Sequence, residues 1–426
     1  MKESNYNKYI VIDNNTYIYN TLTGALVKFQ AERFKEIQHG INLTDELAHE
    51  LERCGILTEE SDEINKYLNL RTVKIDSDNT LRLVIAPTLE CNFRCPYCYE
   101  KHIPIYMEPS VQNQIIYLLQ KKIHEKQYKR VLVSWYGGEP LLALDIIEIL
   151  SEKMITICEK NGIIYTSYMV TNGYLLRDIT IDWLKKNKIQ EIQVTVDGSK
   201  EVHNRRRVLY GSKKKTYNQI LEGVVLCSNN NINIDIRANI DTSNKDDIEF
   251  LFKELAEIIN HKKVVRVYPG KLFCMPSTET RCSNNILQQN EFVDIQILFD
   301  ELSRKYGFRR KQKGLIPSFR AWYCPAPYGN SLVIAPNGDI YLCWNDIGQD
   351  QFKVGSLFQD DFFDNKRMEK WRKCGLTLSK ECYTCQSLPL CGGGCVRNRV
   401  HDLGTVECDD CYSELQRILI HEMDLK

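Results

Sequence analysis

The sequence lacks the usual marks of a polyanion or membrane partner. It has no charge excess, since 56 Lys and Arg balance 56 Asp and Glu. A neutral balance leaves no electrostatic footprint for nucleic acid, which is excluded as the main partner. No apolar run approaches the ~20 residues a membrane helix needs, and mean hydropathy is −0.37. The opening residues, Met-Lys-Glu-Ser-Asn-Tyr, lack the apolar core of a secretory signal. The expectation is a soluble, cytoplasmic, globular protein with no membrane partner. Its 426 residues suffice for two to four domains at about 100–200 residues each, with a core that needs no staples.

Cysteine is what the chain has in excess. Seventeen occur in 426 residues, below the ~8–10% of a disulfide scaffold. In a reducing compartment, clustered cysteines read as metal ligands or catalytic thiols. Three lie within residues 91–98 and eight form a spaced pattern between 324 and 411. Cys54, Cys158, Cys227, Cys274, Cys282 and Cys374 are scattered and read as small buried hydrophobes.

Patterning divides the chain into four segments. Residues 1–78 read as a small α+β unit. It has a hairpin over 8–20 with Asp13-Asn14-Asn15 at its tip, then helical patterns near 30–38 and 43–54. Residues 79–270 alternate short apolar runs with helical periods, the signal of βα units on a parallel sheet. Six strands are expected: Leu81–Pro87, Val131–Trp135, Ile163–Val170, Ile192–Val196, Ile232–Ile240 and Val264–Tyr268. Helices are expected near 110–126, 142–161, 179–187, 216–229 and 245–260. Such a count implies an α/β fold, a partial (β/α)6 barrel. Residues 271–321 bridge, with one amphipathic helix near 290–306. Residues 322–426 are punctuated by Gly and Cys, with a hairpin around Asn337-Gly338-Asp339. That segment has too few apolar residues for its own core, so metal must hold it.

Cys91-Asn92-Phe93-Arg94-Cys95-Pro96-Tyr97-Cys98 begins just after the first barrel strand. There it occupies a loop at the C-terminal face, where barrel enzymes do their chemistry. Cubane clusters normally take four cysteines. Three thiolates would leave the fourth iron open to a small chelating molecule. The alternatives are a zinc loop with a distant fourth ligand, or three free thiols.

This C-x3-C-x-aromatic-C triplet resembles that of the radical S-adenosylmethionine (SAM) enzymes. The resemblance implies a [4Fe–4S] cluster on Cys91, Cys95 and Cys98 with SAM on its open iron, and a 5′-deoxyadenosyl radical as the product of SAM cleavage. Tyr97 stands at the aromatic position, beside adenine in the family. Trp135-Tyr136-Gly137-Gly138-Glu139-Pro140 resembles the family's GGE motif, so Gly137, Gly138, Glu139 and Pro140 are expected at SAM. Thr171-Asn172-Gly173 and Thr195-Val196-Asp197-Gly198 resemble its polar strand ends, which brings in Thr171, Asn172, Thr195 and Asp197. His203-Asn204-Arg205-Arg206-Arg207 resembles an H-D-x-x-R segment, with Asn204 in place of Asp. Arg207, together with Arg237 on strand five, completes the expected SAM contacts.

The C-terminal pattern resembles the SPASM auxiliary domain, C-x9–15-G-x4-C, then C-x2-C-x5-C-x3-C, then C. Cys324, Gly338, Cys343, Cys382, Cys385, Cys391 and Cys395 match it. The resemblance implies two auxiliary [4Fe–4S] clusters and so three in all. One would use Cys324, Cys343 and Cys395. The other would use Cys382, Cys385, Cys391 and Cys408, with Cys411 the alternative. The first then has an open iron or is completed by Cys374. Two tetrahedral zinc sites are the other reading of the same spacing.

Enzymes with this auxiliary domain mostly modify peptides or proteins. The sulfatase-maturing branch has Asp directly after the cysteine matching Cys343, where this chain has Trp344. The resemblance therefore favours maturation of a ribosomally made precursor peptide, with Cys thioether crosslinks as the first expectation. Carbon–carbon crosslinking, epimerisation and formylglycine-type oxidation are alternatives. A non-catalytic iron–sulfur or zinc module for peptide binding or redox sensing is the alternative from another class. Residues 1–78 could be a winged-helix-like leader-peptide unit that captures an extended strand, and a flavodoxin- or ferredoxin-type protein is the expected electron donor.

Overall fold

The computed structural model describes residues 2–30, 32, 44–59, 62–272, 285–312, 314–401 and 414–424. The helical pattern near 30–38 and Cys274, Cys282, Cys408 and Cys411 lie outside the described residues. The chain forms two compact units: residues 1–78 with 316–328 and 370–426, and residues 79–315 with 329–369.

The first unit contains a three-stranded antiparallel sheet of β1 (Asn7–Ile12), β2 (Asn15–Asn20) and β3 (Leu26–Gln30). Asp13 takes φ 52° at the β1–β2 turn, where a short polar side chain tolerates the left-handed region. Helices α1 (Asp45–Arg53) and α2 (Glu63–Asp76) follow, capped by the Thr44 and Asp62 side chains. Neither β3 nor α2 was legible in the sequence pattern. The sheet's inner face explains how the cysteine-rich tail finds a core. Ile10 and Tyr19 pack with Leu390, Leu415 and Leu419, and Tyr67 with Leu378 and Leu388. Far-separated segments thus supply the apolar side chains that the tail alone lacks.

The second unit is a nine-stranded sheet. Its strands are β4 (Thr80–Ile85), β5 (Arg130–Trp135), β6 (Ile164–Thr171), β7 (Ile189–Thr195), β8 (Asn233–Ile240) and β9 (Val265–Lys271), all parallel and adjacent in chain order. The alternation of strands with α3 (Pro109–Glu125), α4 (Leu144–Lys160), α5 (Ile181–Lys186), α6 (Lys200–Arg206), α7 (Tyr217–Asn229) and α8 (Ile248–Ile258) makes the expected partial (β/α)6 barrel. α9 (Gln289–Tyr306) opens with a capping box and ends at Gly307 with φ 78°. α4 turns Ile147, Leu150, Met154 and Cys158 inward and leaves Ile149 exposed. Three further strands extend the sheet beyond β4. β10 (Ser331–Ile334) runs parallel to β4, β11 (Asp339–Tyr341) pairs antiparallel with β10, and β12 (Gly355–Ser356) pairs antiparallel with β11. The segment around Cys343 therefore belongs to the barrel sheet's own unit, its hairpin at Asn337-Gly338. Among the described residues no helix is long and apolar enough to cross a membrane.

Candidate active site

The loop after β4 is held on both sides by backbone. Leu89 N donates to Ile105 O at 3.2 Å, and Ile103 N to Leu89 O at 3.3 Å. On the other side, Arg94 N donates to Val208 O at 3.0 Å and Tyr210 N to Asn92 O at 2.7 Å. This clamp presents Cys91, Cys95 and Cys98 to one cavity of about 320 Å³, within the range of small-molecule sites. Burial is the main force on all three thiols, and it pushes Cys91 up to about 12 and raises Cys95 and Cys98. Without metal they are protonated, so a bound ion or cluster must displace protons.

The loop after β5 lies on the backbone of the cysteine loop. A Cβ on Gly137, whose φ is 104°, would sit 2.4 Å from Thr88 O, and one on Gly138 would sit 2.2 Å from Glu90 O. Only glycine permits this approach, which lets Glu139 N reach Glu90 O at 2.8 Å. Glu139 is fully buried. Its carboxylate accepts from Thr171 Oγ1 and Asn172 N, both at 2.7 Å, and from Leu141 N at 2.9 Å. Desolvation raises its carboxyl despite these bonds. Asn172 is turned toward the cysteine loop, donating to Asn92 Oδ1 at 2.6 Å and lying 3.9 Å from Cys91 Sγ. Pro140 starts a short 3₁₀ turn behind the loop.

Tyr97 anchors the opposite wall. Its hydroxyl bonds the Asp197 carboxylate, accepts from Arg207 Nη1 at 2.8 Å and lies 3.4 Å from Asn239 Nδ2. Asp197 in turn accepts from Asn239 N at 2.9 Å, and Arg206 lies 5.2 Å over the Tyr97 ring. Arg207 is buried, and its Nε has no partner. Arg237 lies against Gly270, where a Cβ would come within 2.3 Å of Nε, and donates to Asn239 Oδ1 at 2.9 Å. Asn204 accepts from Thr216 N at 2.8 Å and Tyr217 N at 3.2 Å, so it serves the start of α7.

The cavity lining brings together Cys91, Cys95, Cys98, Tyr97, Gly137, Gly138, Thr171, Asn172, Thr195, Arg207 and Arg237. Glu139, Pro140 and Asp197 stand behind that lining and position it. Sequence reasoning missed Asn239, Gln193, Tyr99, Glu100 and Trp344, which also face the cavity. Asn239 and Gln193 were findable, because each lies two residues from an expected site residue on the same strand. Of the C-terminal cysteines, Cys343 follows β11 in the barrel unit. Cys324, Cys382, Cys385, Cys391 and Cys395 are partly buried in the other unit.

Residues 85–255 match the Radical SAM superfamily. The barrel is a radical SAM domain. A GTP 3′,8-cyclase of Campylobacter jejuni (strain RM1221) is 27% identical over 237 residues, 54% of this chain and 65% of that protein. One of Clostridium perfringens (strain SM101 / Type A) is 29% identical over 169 residues, 39% of this chain and 49% of that protein. The chain thus spans less than two thirds of these curated relatives. Among solved structures, anSMEcpe with bound AdoMet and Cp18Cys peptide has a TM-score of 0.61 at 20% identity, covering 82% of this chain and 100% of that one. Streptococcus suis SuiB bound to precursor peptide SuiA has a TM-score of 0.55 at 16% identity, covering 93% and 96%. At these identities the likeness is one of fold. Radical SAM domains bind SAM and a [4Fe–4S] cluster. Three thiols on one clamped loop, a glycine-lined approach and the unpartnered Arg207 Nε fit that pair.

Proposed function

We propose that this radical SAM enzyme matures a ribosomally made precursor peptide and installs Cys thioether crosslinks. One observation carries the choice of a peptide. The peptide-bound folds cover 82% and 93% of this chain, whereas the first cyclase relative aligns with 54%. Cys91, Cys95 and Cys98 would hold the cluster that supplies the electron splitting SAM into methionine and a 5′-deoxyadenosyl radical. Asn172, Thr195, Arg207 and Arg237 would orient SAM, and Tyr97 would line its adenine, with Asp197 and Glu139 fixing these groups. Auxiliary [4Fe–4S] clusters on the cysteine pattern from Cys324 onward would bind the substrate thiolate or accept the surplus electron. The net change is loss of two hydrogens per crosslink. β1 and β3 are the outer strands of the first unit's sheet, and Tyr9 and Val11 on β1 are exposed. An extended leader peptide would add to such an edge.

The test uses a small Cys-containing peptide encoded beside this gene. It is incubated anaerobically with reconstituted protein, SAM and a reductant, in light and in heavy water. Loss of two hydrogens with a blocked thiol supports thioether formation. An unchanged mass in light water with deuterium gained in heavy water means epimerisation. The cyclase relatives support a second reading, a nucleotide substrate, and the same incubation with GTP checks it.

A further inference from the structure

The cavity above the cysteine loop is also lined by residues outside the expected SAM contacts. Tyr136 and Trp344 are stacked there, ring centroids 5.7 Å apart at 17°. Tyr136 is held from behind by the packed cluster of Val84, Ala86 and Leu89. Trp344 sits in the 3₁₀ turn after Cys343 and is 43% exposed. Glu100 lines the same wall and hydrogen-bonds the Tyr136 hydroxyl, yet its Oε2 is buried without a partner. An exposed indole backed by a fixed ring attracts a flat or apolar group. An unmatched buried carboxyl oxygen attracts a donor. These features ask for an occupant that offers both at once.

We propose that the Tyr136–Trp344 stack and Glu100 form the peptide subsite of this enzyme. Trp344 packs on the side chain beside the reacting carbon, and Glu100 Oε2 accepts a backbone N–H of the same segment. The proposal rests on the peptide reading of the function. It also gives Trp344 a task at the position where the sulfatase-maturing branch has Asp.

The probe is a fluorescein-labelled form of the candidate Cys-containing peptide of that incubation, added to reconstituted, SAM-loaded protein. Anisotropy gives its Kd, turnover gives KM, and chromatography gives 5′-deoxyadenosine per modified peptide. Trp344→Ala should weaken binding and raise KM by about tenfold, and yield excess 5′-deoxyadenosine per product. Trp344→Phe should restore most of both. Glu100→Gln, checked for full iron content, should also weaken binding. Unchanged Kd and coupling in Trp344→Ala would overturn the subsite. So would a parallel loss of SAM affinity, which would place the stack on the SAM side. A wild type that cleaves SAM but neither binds nor modifies the peptide would overturn the peptide reading, and the subsite with it.

Discussion

Glu139 shows how one buried side chain sets the geometry of a loop it does not belong to. Its two oxygens serve three donors on two segments. Gln cannot accept from all of them, because its amide would face the Asn172 N–H donor to donor. Glu139→Gln should cost about 1–3 kcal/mol in urea unfolding and loosen SAM binding through Asn172. His203 gives a pH test. It is buried, its Nε2 is 3.2 Å from Thr216 Oγ1, and its Nδ1 has no partner. Desolvation first, then Arg207 and Arg206, hold it well below the ordinary 6.5. Below that value the unfolded chain binds a proton that the folded chain refuses. Stability should therefore fall with decreasing pH, by about 1.4 kcal/mol per unit for this group. Urea midpoints at pH 7.5 and 5.5 should differ more in the wild type than in His203→Gln. The cavity-lining residues with motif neighbours were legible. Glu100 and Trp344 were not, because only the folded hairpin brings them to one wall.

At the scale of elements, the β5 loop and the cysteine loop form one packed pair. Gly138→Ala would push a Cβ against the Glu90 carbonyl at 2.2 Å. Backbone has to move there, so the variant should lose about 1–3 kcal/mol and most of its SAM affinity, read by equilibrium dialysis. The six parallel strands were legible because strands covered on both faces read as short apolar runs between helical periods. β10 and β11 were read only as a local hairpin. The pairing of β10 with β4, some 250 residues earlier in the chain, leaves no local signal. The three residues between Cys391 and Cys395 are Gly392, Gly393 and Gly394. All three have positive φ, and a Cβ on Gly392 would lie 2.6 Å from the Trp322 carbonyl carbon.

Over the whole molecule, two compact units built from interleaved segments replace a string of consecutive ones. Apolar residues near the N-terminus complete the core of the cysteine-rich tail, a dependence that composition counted window by window hides. The cluster assignment predicts a clean separation of iron. Changing Cys91, Cys95 and Cys98 together to Ala should remove about four irons per chain, abolish SAM cleavage and leave the auxiliary iron in place. Full iron retention would contradict the ligand assignment.

The most direct test of a radical SAM enzyme acting on a peptide is a competition between substrates. Reduced, reconstituted protein with SAM is divided between the candidate Cys-containing peptide and GTP, and 5′-deoxyadenosine is measured beside the mass of each substrate. Peptide-stimulated 5′-deoxyadenosine with a peptide lighter by two hydrogens, and intact GTP, is the predicted result. Consumption of GTP with an unchanged peptide would contradict it.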